Sequence, residues 1–381
     1  MSPVNASDFQ WIADDATLDR FASEWLTVPA LMVDTEFERT QTFYPRPGLI
    51  QVYDGKQVCL IDPLKIRDFS SFGAVLTSPD VLKVMHSGSE DIELFIHRLG
   101  YVPVAVFDSQ IAAAYAGVGQ GMGFQRLVEA VTGKVLEKGE TRSDWLQRPL
   151  TDSQCLYACD DVLWLYPVYE SLRQKLDSAG RLEWLLEDTR DLVNQIASGT
   201  APEEYYTRMK MAWQLSQEEL VVLQEVCRWR EEFARKQDLS RNQVMPDRAL
   251  FDIARRHLER IDQLYQIENI RPAVIKRNGR EVLAVAEAAR EFPKEVWPAE
   301  IPRPLSKNAQ KRLNRLKDVV GRVADEQGIP ADMLARKRDL EVFVREASLL
   351  ALPEQWPVGL QGWRTELLKP ELTTLILESE K

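Results

Sequence analysis

A chain of 381 residues with 45% hydrophobic and 28% charged side chains is too long for one compact core, and its make-up is that of a soluble globular protein of two or three domains. The acidic opening MSPVNASDFQWIADD lacks the apolar stretch of a secretory signal, and no segment approaches a membrane span, so a cytoplasmic protein with no membrane partner is expected. Four cysteines without CxxC spacing (Cys59, Cys155, Cys159, Cys227) and only three histidines argue against a zinc site of the Cys/His kind. The net charge of −11 argues mildly against a polyanionic partner. That charge is unevenly spread, because residues 1–200 carry 29 acids and 17 bases, while the remainder is near neutral. Bound cations that neutralise part of the surplus would remove the difficulty.

In chain order, Ala30–Val33, Leu49–Tyr53 and Val58–Ile61 are apolar, β-rich runs, with Tyr44-Pro-Arg-Pro-Gly48 as a turn between the first two. Val81–Met85 reads as a short buried strand. It leads into a helix over Glu90–Leu99, where Ile92, Phe95, Ile96 and Leu99 fall at helical spacing and Gly100 supplies a stop. Val104–Phe107 is a further strand, and Asp108-Ser109 can cap a helix over Gln110–Tyr115. The run Gly117–Gly123 (GVGQGMG) follows a helical segment rather than a strand, which is the wrong context for a dinucleotide fingerprint, so it reads as a connection. A longer helix is expected from about Asp152 to Leu172. The alternation implies an α/β domain with a central mixed sheet.

From about Ala201 strands disappear and the chain repeats itself at an offset of 90 residues. Leu215-Ser216 matches Leu305-Ser306, Leu223 matches Leu313, and Val226 matches Leu316. Ala234 matches Ala324, Leu239 matches Ile329, Val244 matches Leu334, and Leu250 matches Leu340. Matched positions are mainly apolar, as two copies of one helical core require. Ser216 with Glu219 makes a capping box at the head of the first copy. Pro293, Pro298, Pro302 and Pro304 mark a linker between the copies.

Three segments place acids at informative spacings. In Leu31-Met-Val-Asp34-Thr-Glu36-Phe37 an apolar strand ends in two carboxylates two residues apart, and the period of two points both to one face. Carboxylates so close repel unless a cation lies between them. In His86-Ser-Gly-Ser-Glu90-Asp91-Ile92 the acids stand at a strand-to-helix junction, where the helix dipole alone would favour them. His86 suits a hydrogen-bonded structural role at least as well as a role in a site. In Tyr157-Ala-Cys-Asp160-Asp161, Tyr157 and Asp161 are four apart and share a helix face, with Asp160 a rival on geometry.

Taken in order, these segments resemble the motifs of the DEDD exonuclease superfamily in its tyrosine subclass. Within it the chain is similar to the ribonuclease D family through VDTEFERTQTFYP, GLIQVYDG, HSGSEDIELF and RSDWLQRPLTDSQCLYACDDVLWLYPVY. The duplicated helical unit resembles the HRDC domain, of which that family carries two. The resemblance implies a ribonuclease-H-like mixed-sheet 3′→5′ exonuclease domain at 1–205 and two all-α HRDC domains at 210–292 and 298–381. It implies that Asp34, Glu36, Asp91 and Asp161 are the four acids and Tyr157 the tyrosine; its register selects Asp161 over Asp160. It also implies two divalent ions, Mg²⁺ or Mn²⁺, consistent with hard carboxylate oxygens. The expected activity is hydrolysis of RNA 3′ ends to 5′-mononucleotides, with 3′-extended tRNA precursors and single-stranded 3′ ends as substrates. Thr35, Phe37, His86 and Arg142 are candidate substrate contacts, and Lys138, Arg148 and the basic run Arg303–Arg322 candidate phosphate contacts. A 3′→5′ DNA exonuclease of proofreading or helicase-associated type is the rival with the same chemistry; a non-catalytic RNA-binding scaffold is the rival without it.

Overall fold

The computed structural model describes residues 8–136, 139–140, 143–268, 270–346 and 356–378. Strands and helices alternate through the first half: β1 (Phe9–Ile12), α1 (Asp15–Trp25), β2 (Ala30–Glu38), β3 (Arg46–Tyr53), β4 (Val58–Ile61), α2 (Ser70–Thr77), β5 (Leu82–Met85), α3 (Ser89–Leu94), β6 (Val106–Asp108), α4 (Ser109–Tyr115), α5 (Phe124–Thr132), α6 (Asp152–Leu163), α7 (Leu165–Ser178) and α8 (Leu182–Ser198). The six strands form one mixed sheet in the order β1-β4-β3-β2-β5-β6. β1 runs parallel to β4, β3 antiparallel to β4, and β2, β5 and β6 are parallel neighbours.

Both faces of this sheet are covered, which is why its strands read as continuous apolar runs. Along β2, Ala30 and Met32 enter the core shared with α4–α7, while Leu31 and Val33 enter the core built with α1, α2 and α3. Asp108 caps α4 by accepting from the backbone N–H groups of Gln110 and Ile111, as its spacing implied. Two local expectations need correction, and β1 and α1 were not expected at all, because a four-residue strand beside an acidic stretch gives little periodic signal. β3 begins at Arg46, inside the expected turn. The helix expected over 152–172 is two helices, α6 and α7, separated at Trp164. Pro167 lies in the first turn of α7, where its missing N–H costs nothing, and it cannot continue the hydrogen bonding of α6. The helix after Ser89 finishes in a wide π turn, Phe95–Leu99, and stops at Gly100, whose φ of 83° suits a residue without a Cβ.

The helical repeat is present in the elements themselves. The first copy has α9 (Gln217–Gln237), α10 (Arg241–Val244), α11 (Asp247–Arg256), α12 (Ile261–Leu264) and α13 (Pro272–Arg290). The second has α14 (Lys307–Gln327), α15 (Ala331–Leu334), α16 (Lys337–Glu346) and α17 (Trp363–Glu378). The first three helices of each copy begin and end 90 residues apart. Ser216 and Ser306 cap the two long helices, and Asp238 and Gly328 end them in the same left-handed conformation.

The chain divides into two compact units. One comprises residues 1–37, 47–196 and 305–381, so the second helical copy shares a core with the sheet domain: Leu313, Leu316 and Phe343 belong to the same apolar cluster as Met32, Leu127 and Val162. Within this unit Arg364 makes a forked ion pair with Asp188 at 2.6 Å, and Trp363 stacks on Trp184 with centroids 4.2 Å apart. The other unit comprises residues 38–46 and 197–304. Its core takes in Phe43, whose N–H and that of Tyr44 donate to the Asp238 carboxylate at 3.0 Å. At its centre Arg230, fully buried, donates to Asp247, Glu231 and the Met245 carbonyl, while Arg241 forks onto Glu231.

Candidate active site

Asp34 and Glu36 leave β2 on the same face as Ala30 and Met32, just beyond the point where that face ceases to be apolar. Both are half-buried. α6 packs on this face through Cys155, Ala158, Cys159 and Val162. The Thr151–Gln154 capping box fixes its start, and its next turns present Tyr157 and Asp161. Oxygen atoms of Asp34, Glu36 and Asp161 come within 4.8 Å of one another. Asp91 sits in the first turn of α3, buried, and receives a hydrogen bond from the Thr35 hydroxyl on the opposite face of β2. Its charge is the largest of those acting on Asp34.

The electrostatics among the described residues are those of an anionic cluster. The largest charges acting on Asp34 and Glu36 are other carboxylates. Burial, then Asp91, Asp161 and Glu36, raise Asp34 well above the carboxylate range. Burial, then Asp161 and Asp91, push Glu36 up to about 9. Burial raises Asp91 to about 6 although the Thr35 hydrogen bond opposes it. Burial and the neighbouring charge of Asp160 raise Asp161 to about 7 against the hydrogen bond from Tyr157. Tyr157 is itself raised, by burial first and then by Asp161, Glu36 and Asp34, so its hydroxyl keeps its proton. Hard oxygen donors from a strand and two helices, with no cation among the largest charges acting on Asp34 and Glu36, fit divalent cations.

Tyr157 is held from two sides. A Cβ on Gly139 would fall 2.8 Å from its ring, and the Trp145 ring lies 6.2 Å away. Trp145 in turn lies against Gly48, where a Cβ would meet it at 2.7 Å. Asp160 is half-buried and stands beside Asp161. Thr35 is buried and its hydroxyl is engaged by Asp91; Phe37 is half-buried against the core of the α1–α3 face. His86 is half-buried, with Nδ1 2.8 Å from the Ser109 hydroxyl and its ring 5.3 Å from that of Phe124, and burial lowers its pKa.

Arg148 is a correction. Its guanidinium forks onto Asp62 at 2.9 and 2.6 Å and donates to the carbonyls of Gly48 and Trp145, so it braces loops and has no fork left for phosphate. Lys138 and Arg142 lie outside the described residues. In the basic run, Arg322 pairs with Glu326 and Glu371, and Arg312 donates to the Val344 carbonyl, whereas Lys307, Lys311, Arg315 and Lys317 are exposed. What sequence reasoning missed is the role of Thr35 as the partner of Asp91; a hydroxyl between two acids on a strand was the available signal. No helix among the described residues is long and apolar enough to cross a membrane.

Comparison with known proteins adds three family matches: a 3′-5′ exonuclease model over residues 9–177, an HRDC domain over 219–286 and the C-terminal HRDC domain of ribonuclease D over 308–372. The chain is 42% identical to ribonuclease D of Pseudomonas paraeruginosa, covering 95% of this chain and 96% of that protein. It is 34% identical to ribonuclease D of Escherichia coli K12, covering 97% and 99%. The crystal structure of Escherichia coli RNase D, described as an exoribonuclease involved in structured RNA processing, superposes with a TM-score of 0.90 over 97% of this chain and 99% of that one, at 34% identity.

Proposed function

The chain belongs to the ribonuclease D family, and from that premise we propose that it is a cytoplasmic 3′→5′ exoribonuclease that trims tRNA precursors and other single-stranded RNA 3′ ends to 5′-mononucleotides. The observation that carries the reading is the convergence of Asp34, Glu36 and Asp161 within 4.8 Å, half-buried and without a cation partner among the described residues. The division into domains at 1–205, 210–292 and 298–381 is part of the same proposal.

In this reading Asp34, Glu36 and Asp161 would hold one divalent ion, and Asp91 with Asp34 a second, as Mg²⁺ or Mn²⁺. Such ions, when bound, supply the positive charge that activates water and stabilises charge on the phosphate and leaving oxygen. The protein's own residues do the rest. Tyr157, protonated and hydrogen-bonded to Asp161, is a poor base and orients the attacking water. Thr35 keeps Asp91 aimed. Phe37, His86 and Arg142 are proposed to meet the terminal nucleotides.

Purified protein offered 3′-extended tRNA, unstructured RNA and single-stranded DNA, each with Mg²⁺, Mn²⁺ or EDTA, tests this. The expected result is metal-dependent shortening of RNA from its 3′ end, fastest on single-stranded extensions. Faster shortening of DNA, or no shortening of any substrate, would overturn it.

A further inference from the structure

We infer that Asp108 is a positioning residue for Asp91, holding the start of α3 in the register that aims that carboxylate at the acid cluster. This rests on the proposed reading of Asp91 as a metal-holding group. Asp108 is 3% exposed and its one carboxylate serves two loops. Oδ1 accepts from Gln110 N at 2.8 Å and Ile111 N at 3.3 Å, which is the helix cap already described, and also from Ser87 N at 3.1 Å. Oδ2 accepts from Gly88 N at 2.9 Å.

Those last two bonds fall on the segment that launches α3. Ser87 has a φ of 56°, a left-handed conformation that residues with a side chain rarely adopt. Gly88 has no room for a Cβ, which would lie 2.8 Å from Met85 Cβ. No side chain caps α3. Its first turn closes through Ile92 N to the Gly88 carbonyl at 2.9 Å, with Asp91 inside that turn. Asp108 is therefore the side chain that ties down the strained bend three residues ahead of Asp91, and Thr35 secures Asp91 from the β2 side. Capping α4 alone would ask only for one side-chain oxygen, which serine or asparagine supplies as well. Oδ1 alone reaches Ser87 as well as the cap, and holding Gly88 too requires the second acceptor oxygen. An asparagine here keeps the size and the cap but turns an N–H toward the N–H of Gly88.

Asp108→Asn in the full chain is the test, with Asp108→Ser as the second cap-preserving variant and Asp91→Ala as control. Mn²⁺ binding is read by calorimetry and by the thermal shift on adding Mn²⁺, alongside kcat and KM on a 3′-extended RNA. The expected result is a folded protein in which one of two Mn²⁺ binding steps weakens at least tenfold, kcat falls with KM for RNA unchanged, and high Mn²⁺ restores kcat. Mn²⁺ binding equal to that of the unaltered chain, in whichever of the two variants folds, overturns the inference provided Asp91→Ala loses that step. Should Asp91→Ala itself bind both ions normally, the assignment of Asp91 to a metal is what has failed.

Discussion

Two clusters of charged side chains in this protein are built on opposite principles. In the first helical copy, Arg230 and Glu231 are fully buried, yet each is answered: Arg230 by Asp247, Glu231 and a carbonyl, Glu231 by Arg241. On β2, Asp34 and Glu36 are drawn together with Asp161 and feel the charge of Asp91, with nothing positive among the largest charges acting on Asp34 and Glu36. A compensated cluster serves the fold. An uncompensated one opposes it and is relieved by protonation or by a bound cation. The second helical copy sharpens the contrast, because at the 90-residue offset Val320 stands for Arg230, Gly321 for Glu231, Ala331 for Arg241 and Lys337 for Asp247. The same helices form around an apolar centre, so the ionic network is one solution to that fold among others.

The largest expected effect lies in the uncompensated cluster. Asp34→Asn should lower the exonuclease rate by about a thousandfold or more, while the melting temperature of the metal-free protein stays equal or rises, because a repelling charge has gone. A destabilised Asp34→Asn protein would show that the cluster is structural after all.

In the compensated cluster the signs reverse. Arg230→Ala should destabilise its unit by about 3 kcal/mol, since it leaves Glu231 short of a partner in the interior. Arg230→Met combined with Glu231→Leu should cost less than that single change, because Asp247 and Arg241 are exposed enough to be solvated by water. Denaturation of the three proteins side by side settles the order, and a double variant worse than Arg230→Ala would break the comparison.

The smallest effect is a pH slope. Asp91, Asp161 and Glu36 hold their protons up to about 6, 7 and 9 in the folded protein, against about 4 when unfolded. The folded state then binds more protons than the unfolded one over this interval, so stability must fall as pH rises. Without metal, the melting temperature should drop by a few degrees between pH 5 and 9, and Mn²⁺ should flatten the slope. A slope of the opposite sign would mean that the cluster is compensated in solution.

Much of this contrast is legible in the sequence, and for identifiable reasons. Asp34 and Glu36 declare themselves because the period of a strand puts residues two apart on one face. The helical copies declare themselves because Leu223, Val226 and Leu250 recur with Leu313, Leu316 and Leu340, and because Ser216 and Ser306 mark the helix starts. Asp161 is separated from Asp160 only by resemblance, since both lie within helical reach of Tyr157.

Local order, then, was written in the sequence by itself: the strand that ends in carboxylates, the cap at Asp108, the repeat and its spacing. These depend on backbone period and on hydrogen bonds between near neighbours, which a linear pattern records. Partners distant in the chain were decided by tertiary structure alone: Thr35 with Asp91, Arg148 with Asp62, Asp108 with Ser87 and Gly88, and Arg364 of the second helical copy with Asp188. Each is a polar group whose need for a partner is evident from its type, but whose partner is chosen by which surfaces the buried apolar faces bring together.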